Sequence, residues 1–98
     1  MTTSSEASLI LSRDLPIINV RGLHARASAK FVKVVESFDA IVTVSKDGSD
    51  VGGTSIMGLM MLSAGLGSFV NISATGAQAA EVLDALEALL ADRFQEGE

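Results

Sequence analysis

His24 is the single histidine of a 98-residue chain that has no cysteine. It stands in Gly22-Leu23-His24-Ala25-Arg26, and an apolar-rich run that reads as a helix, Ala25 to about Ser37, begins at the next position. A histidine at the first turn of a helix lies beside backbone N–H groups with no intrahelical partner and beside the positive end of the helix dipole. Such a place holds anions, and imidazole is a nucleophile able to carry a phosphoryl group. The dipole favours the neutral ring, which has a free lone pair. A phosphoryl adduct would bring about two negative charges. The N–H groups of Ala25 and Arg26 can receive its oxygens, and the Arg26 guanidinium can add a charge-assisted contact. The same five residues also describe a surface histidine that merely caps a helix, and the pattern alone leaves both readings open.

Ser55 is the second candidate. Gly52-Gly53-Thr54-Ser55 leads into Ile56-Met57-Gly58-Leu59-Met60-Met61-Leu62, and serine is a favoured N-cap for two helical turns. A phosphate on Ser55 would suit the helix start but would place charge beside Ile56 and Met57, spoiling an apolar contact surface. Methionines adapt to irregular partners as readily as they fill a core. A two-turn helix cannot bury every face, so Met57 is expected outside and Met61 inside.

Other chemistries find no support. One histidine without cysteine makes no His/Cys metal cluster, and neither a metal nor a cofactor is expected. Neither nucleotide-binding glycine pattern occurs; Gly52-Gly53 and Gly65-Leu66-Gly67 read as turns. No signature pairs His24 with a nucleophilic serine, and Asp47 and Asp50 flank a turn where solvation suffices.

The chain is 48% hydrophobic and 19% charged, with four Phe and neither Trp nor Tyr, so one mostly aliphatic core is expected. A net charge of −5 argues against nucleic acid as a partner. The longest apolar stretch, Ile56 to Leu62, is far short of the roughly 20 residues that span a bilayer. The N-terminus has no basic segment of a signal peptide, and the lack of cysteine suits a reducing compartment. A soluble, cytoplasmic monomer is therefore expected. Arg13, Arg21, Arg26, Lys30 and Lys33 gather around His24, whereas Glu81, Asp84, Glu87, Asp92, Glu96 and Glu98 crowd the end. The cationic stretch can steer a phosphate or an acidic protein, or simply be a solvated face.

The elements that must position these residues read in order. Residues 1–8 are Ser/Thr-rich and expected to be disordered. Ser12 to Ile18 reads as a strand with Leu15 and Ile17 inward, at a sheet edge or paired only on the side that leaves Pro16 free, because Pro16 cannot donate to a ladder. After the first helix, too apolar to assign one buried stripe, Ile41 to Lys46 is a β-branched strand. Asp47-Gly48 then signals a hairpin to a short strand, Ser49 to Gly52. Phe69 to Ala74 alternates, with Val70, Ile72 and Ala74 on one face. Thr75-Gly-Ala-Gln78 fits a capping box with Thr75 as N-cap. Ala79, Val82, Leu83, Leu86, Leu90 and Phe94 then keep helical spacing. The order β-α-β-β-α-β-α implies an α+β two-layer sandwich, one domain over residues 9–94, with 95–98 a frayed tail.

Gly22-Leu-His-Ala-Arg26 resembles the active-site signature of HPr, the phosphocarrier family of the bacterial phosphoenolpyruvate-dependent phosphotransferase system. Thr54-Ser-Ile-Met-Gly-Leu-Met-Met-Leu62 resembles that family's second signature, around a regulatory serine, and the separation of the two matches. The resemblance covers about residues 10–92 and implies an open-faced sandwich of three helices on a four-stranded antiparallel sheet. It implies that His24 accepts a phosphoryl group on Nδ1 from enzyme I and donates it to enzyme IIA domains, with Arg26 contacting the group. It further implies that a dedicated HPr kinase phosphorylates Ser55 and that Ile56, Met57 and Met60 dock partners. Such a protein is a phosphoryl carrier rather than a stand-alone enzyme. Alternative readings are a carrier in a regulatory phosphorelay for nitrogen or carbon metabolism, and an interaction domain with an inert histidine. One departure stands out: Ala27 occupies the place where the family usually has proline, which would pre-set the first helical turn.

Overall fold

The computed structural model describes residues 9–96. The lead-in expected over residues 1–8, and residues 97–98, lie outside the described residues. The chain forms β1 (Leu11–Pro16), α1 (Ala25–Glu36), β2 (Ile41–Lys46), β3 (Ser49–Gly52), α2 (Ile56–Met61), β4 (Phe69–Thr75) and α3 (Ala79–Ala91), followed by a tight turn, Arg93–Gln95. The sheet order is β1-β4-β2-β3 with every pair antiparallel. The last strand thus fills the gap between the first two, and β1 lies at an edge, where Pro16 needs no second ladder partner.

One face of the sheet is apolar because the strands alternate. Leu15 pairs with Val70, Val44 with Ile72 and Val42 with Ala74, all buried. The other face carries Ser12 opposite Ser73 and Asp14 opposite Asn71, whose amide donates to Asp14 at 2.9 Å. The helices cover the apolar face. In α1 the buried stripe is Ala27, Ser28, Phe31, Val32 and Val35, and in α3 it is Ala79, Val82, Leu83, Leu86, Leu89 and Leu90. The outward face of α3 is tied to β1 by Arg13, which meets Asp84 and Glu87 at 2.8 Å each. The Asp84 hydrogen bond is the leading cause of a raised Arg13 pKa, so the guanidinium stays charged. The hairpin forms as expected, with Asp47 at φ 52° and Gly48 at φ 83°, the left-handed pair that matches strand twist.

Three expectations are corrected. Thr75 does not cap α3: it is the last residue of β4, paired with Ile41, and Gln78 is the N-cap. Gln78 instead bridges to the connection between α1 and β2, its Oε1 accepting from the Asp39 N–H at 2.7 Å. Met61 is not core. Leu59 and Leu62 take the inward positions of α2, and Met61, about 200° around the helix from Leu59, is 76% exposed. Phe94 is buried, but not as a continuation of α3. The helix stops at Ala91, and Arg93, Phe94 and Gln95 all adopt positive φ of 53°, 55° and 64°. The turn carries Glu96 back toward α1, its Oε2 2.7 Å from His24 Nε2.

The left-handed turn has a physical cause. Each non-glycine residue there costs about 1–2 kcal/mol. Burying the Phe94 ring returns about 3 kcal/mol. Lys30, on α1, donates from Nζ to the Phe94 carbonyl at 2.6 Å, worth about 2 kcal/mol for a charged donor. These terms are of the same size, so α1 and the core hold the turn in place.

Candidate functional site

His24 is the N-cap of α1, with extended backbone (φ −74°, ψ −179°), and its carbonyl accepts from the Ser28 N–H at 2.8 Å. The N–H groups of Ala25, Arg26 and Ala27 have no backbone partner among the described residues, as a helix start requires. The loop before His24 is fixed from inside. Buried Asn19 donates from Nδ2 to the Gly22 carbonyl at 2.9 Å, and buried Ser28 donates from Oγ to the Leu23 carbonyl at 3.1 Å. The Leu23 N–H reaches the Ala64 carbonyl at 3.0 Å, tying this loop to the one after α2. Gly22 makes that approach possible. Its φ is +62°, and a β-carbon there would collide with the Ala64 carbonyl oxygen and lie 2.8 Å from Gly65 Cα.

Of the two imidazole nitrogens, Nε2 is the buried one, and Glu96 Oε2 approaches it to 2.7 Å. The contact is close, without the alignment of a well-formed hydrogen bond. Nδ1 makes no hydrogen bond to the helix start. A shallow cavity of about 250 Å³ beside the ring is lined by Arg21, Leu23, His24, Met60, Ser63, Ala64 and Gly65. Arg26 is exposed on the first turn of α1, forms no ion pair among the described residues and is not part of that lining. Ala25, also exposed, contributes its N–H to the same helix start.

Ser55 caps α2, its Oγ accepting from the Gly58 N–H at 2.9 Å. α2 packs on α1, and Met60 lines the cavity beside the imidazole. Ile56, Met57 and Met60 are exposed, Met57 at 71%, and Val20, Met61 and Leu66 add exposed apolar surface from α2 and both loops. Sequence reading did not single out Arg21, Ser63 or Glu96. Arg21 appeared only as one cation of a basic segment, and Glu96 only as one charge of an acidic tail.

A family model described as "PTS HPr component phosphorylation site" matches residues 11–92. The chain belongs to the HPr family of phosphocarrier proteins. It is 51% identical to the phosphocarrier protein HPr of Cupriavidus necator over 89 residues, 91% of this chain and all of that one. It is 46% identical to HPr of Neisseria meningitidis serogroup A over the same coverage. A phosphocarrier protein NPr of Shewanella violacea is 36% identical over 86 residues, 88% of this chain and 94% of that protein. A crystal structure of HPr from Thermoanaerobacter tengcongensis superposes with a TM-score of 0.84 at 37% identity, covering 88% of this chain and 97% of that one. The four-stranded antiparallel sheet with three helices on one face is thus the HPr fold. No helix among the described residues is long and apolar enough to cross a membrane, and none of their side chains group as a metal site.

Proposed function

We propose that His24 is the phosphoryl acceptor and donor of this HPr protein, taking the group on Nδ1 from phosphorylated enzyme I and passing it to enzyme IIA domains in the cytoplasm. The observation that carries this reading is His24 at the start of α1, where the N–H groups of Ala25 and Arg26 have no backbone partner among the described residues. The Nδ1 lone pair attacks phosphorus as the donor's bond to it breaks, and the phosphoryl oxygens are received by the helix start and by the exposed cations Arg26 and Arg21. Chemistry here is positioning plus electrostatics, which is how phosphoryl transfer is generally catalysed. The exposed residues Ile56, Met57 and Met60 dock both partners next to the imidazole. Ser55 is the control point: a phosphate there would put charge at the edge of that apolar patch.

The test is incubation with phosphoenolpyruvate and enzyme I. An acid-labile, base-stable phosphate is expected on the wild type and absent from His24→Ala. A wild-type protein that takes up no label would refute the reading, leaving an interaction domain with an inert histidine.

A further inference from the structure

We infer that Glu96 is a positioning residue for His24: its carboxylate holds the Nε2–H of the imidazole, keeps Nδ1 as the nucleophile, and faces the positive charge that the ring gains on phosphorylation. The inference deepens the carrier reading above and rests on it. Glu96 Oε2 is 2.7 Å from Nε2, and the two side chains are only 6% and 15% exposed. Neither Glu96 oxygen has a well-formed hydrogen bond, so the imidazole contact is the one polar approach recorded for the carboxylate among the described residues. A carboxylate sequestered without donors is costly unless a positive group answers it, and the imidazole is the basic group in contact. The placement is built into the chain. Buried Phe94 and the Lys30 bond to its carbonyl hold the left-handed turn of Arg93–Gln95, which returns Glu96 to the helix start.

The Nδ1 pair forms the new N–P bond while the donor's bond to phosphorus breaks and its electron pair leaves with the donor. The Nε2 proton does not move, so the ring becomes a phosphorylated imidazolium whose single positive charge lies against Glu96. On transfer to an acceptor the N–P pair returns to Nδ1 and the ring charge disappears. A buried carboxylate serves the imidazole in the same way in Ser-His-Asp triads, where it orients the ring and stabilises the imidazolium that forms.

The full chain is phosphorylated in parallel by phosphoramidate, a small donor that needs no docking surface, and by phosphorylated enzyme I. Ring ¹⁵N spectra at about pH 8.5, two units above the ordinary histidine value, read the tautomer with no donor present. Wild type is expected to hold the Nε2–H tautomer, as is Glu96→Gln, whose amide oxygen can still accept; Glu96→Ala is expected to show a mixture. Phosphorylation of Glu96→Ala should be about tenfold slower with both donors, the low end for losing a group that orients a functional imidazole, with Glu96→Gln in between. Unchanged rates and an unchanged ring spectrum in Glu96→Ala overturn the inference. A loss seen only with the protein donor also overturns it, making Glu96 a docking residue. Absence of label on wild type strikes the carrier reading instead, and the ring spectra then decide the tautomer role alone. Circular dichroism of each variant separates these effects from unfolding.

Discussion

Replacing Gly22 by alanine tests whether contact between the two loops holds the site. Gly22 has φ +62°, and a β-carbon there meets the Ala64 carbonyl oxygen and Gly65 Cα, both backbone atoms that cannot swing aside. The left-handed conformation alone costs alanine about 1 kcal/mol. Relieving the collision costs about 1–3 kcal/mol more, as overpacking does. It also stretches the 3.0 Å bond from the Leu23 N–H to the Ala64 carbonyl, worth about 1 kcal/mol. Gly22→Ala should therefore lose about 3–5 kcal/mol and roughly 12–25 °C in Tm. Two other glycines separate the contributions. Gly48 has φ +83° but open space around it, so Gly48→Ala should lose about 1 kcal/mol. Gly65 has open space and no positive φ, so Gly65→Ala should stay within about 0.5 kcal/mol of wild type. Urea unfolding followed by circular dichroism measures all three, with a common m-value as the check that only stability has changed. A loss for Gly22→Ala no larger than that for Gly48→Ala would refute the reasoning. So would wild-type phosphorylation of His24 in a folded Gly22→Ala protein.

Phe94→Ala should cost about 3 kcal/mol as a core deletion. It should also release the turn that carries Glu96, read as faster amide exchange at residues 93–96 than in wild type. Ser55→Ala removes the N-cap of α2 and should cost about 1 kcal/mol, whereas Ser55→Asp keeps a cap and should melt near wild type. Ser55→Asp should nevertheless exchange phosphate with enzyme I about tenfold more slowly, through the charge placed beside the apolar patch; exchange at the wild-type rate would remove Ser55 as a control point. Met57→Glu should slow exchange with enzyme I while leaving phosphorylation by phosphoramidate unchanged, since Met57 is exposed and the proposed function gives it a docking role apart from the chemistry. Equal slowing with both donors would show that the patch supports His24 itself.

Local physics in the sequence was enough to specify most of the architecture. Alternation in Phe69–Ala74, the Asp47-Gly48 hairpin and the edge demanded by Pro16 each depend on neighbouring residues alone, and all three are observed. The position of His24 at a helix start was legible for the same reason, since a glycine and an apolar run bracket it. The errors fall where a residue's role depends on partners distant in sequence. Thr75 has the chemistry of a cap, yet pairing with Ile41 draws it into β4. Met61 is as apolar as Leu59, and only the phase at which α2 packs against the core decides which of them is buried. Phe94 keeps helical spacing, but burial is reached by a left-handed turn that helical periodicity cannot describe. That turn is also why Glu96, 72 residues from His24 and one of several acids at the chain's end, becomes its neighbour. The sequence by itself placed a lone histidine at a helix start, because both signals are local: one residue type and the apolar run that follows it. Tertiary structure decided which carboxylate that histidine faces, because that depends on how the chain's far end packs against α1.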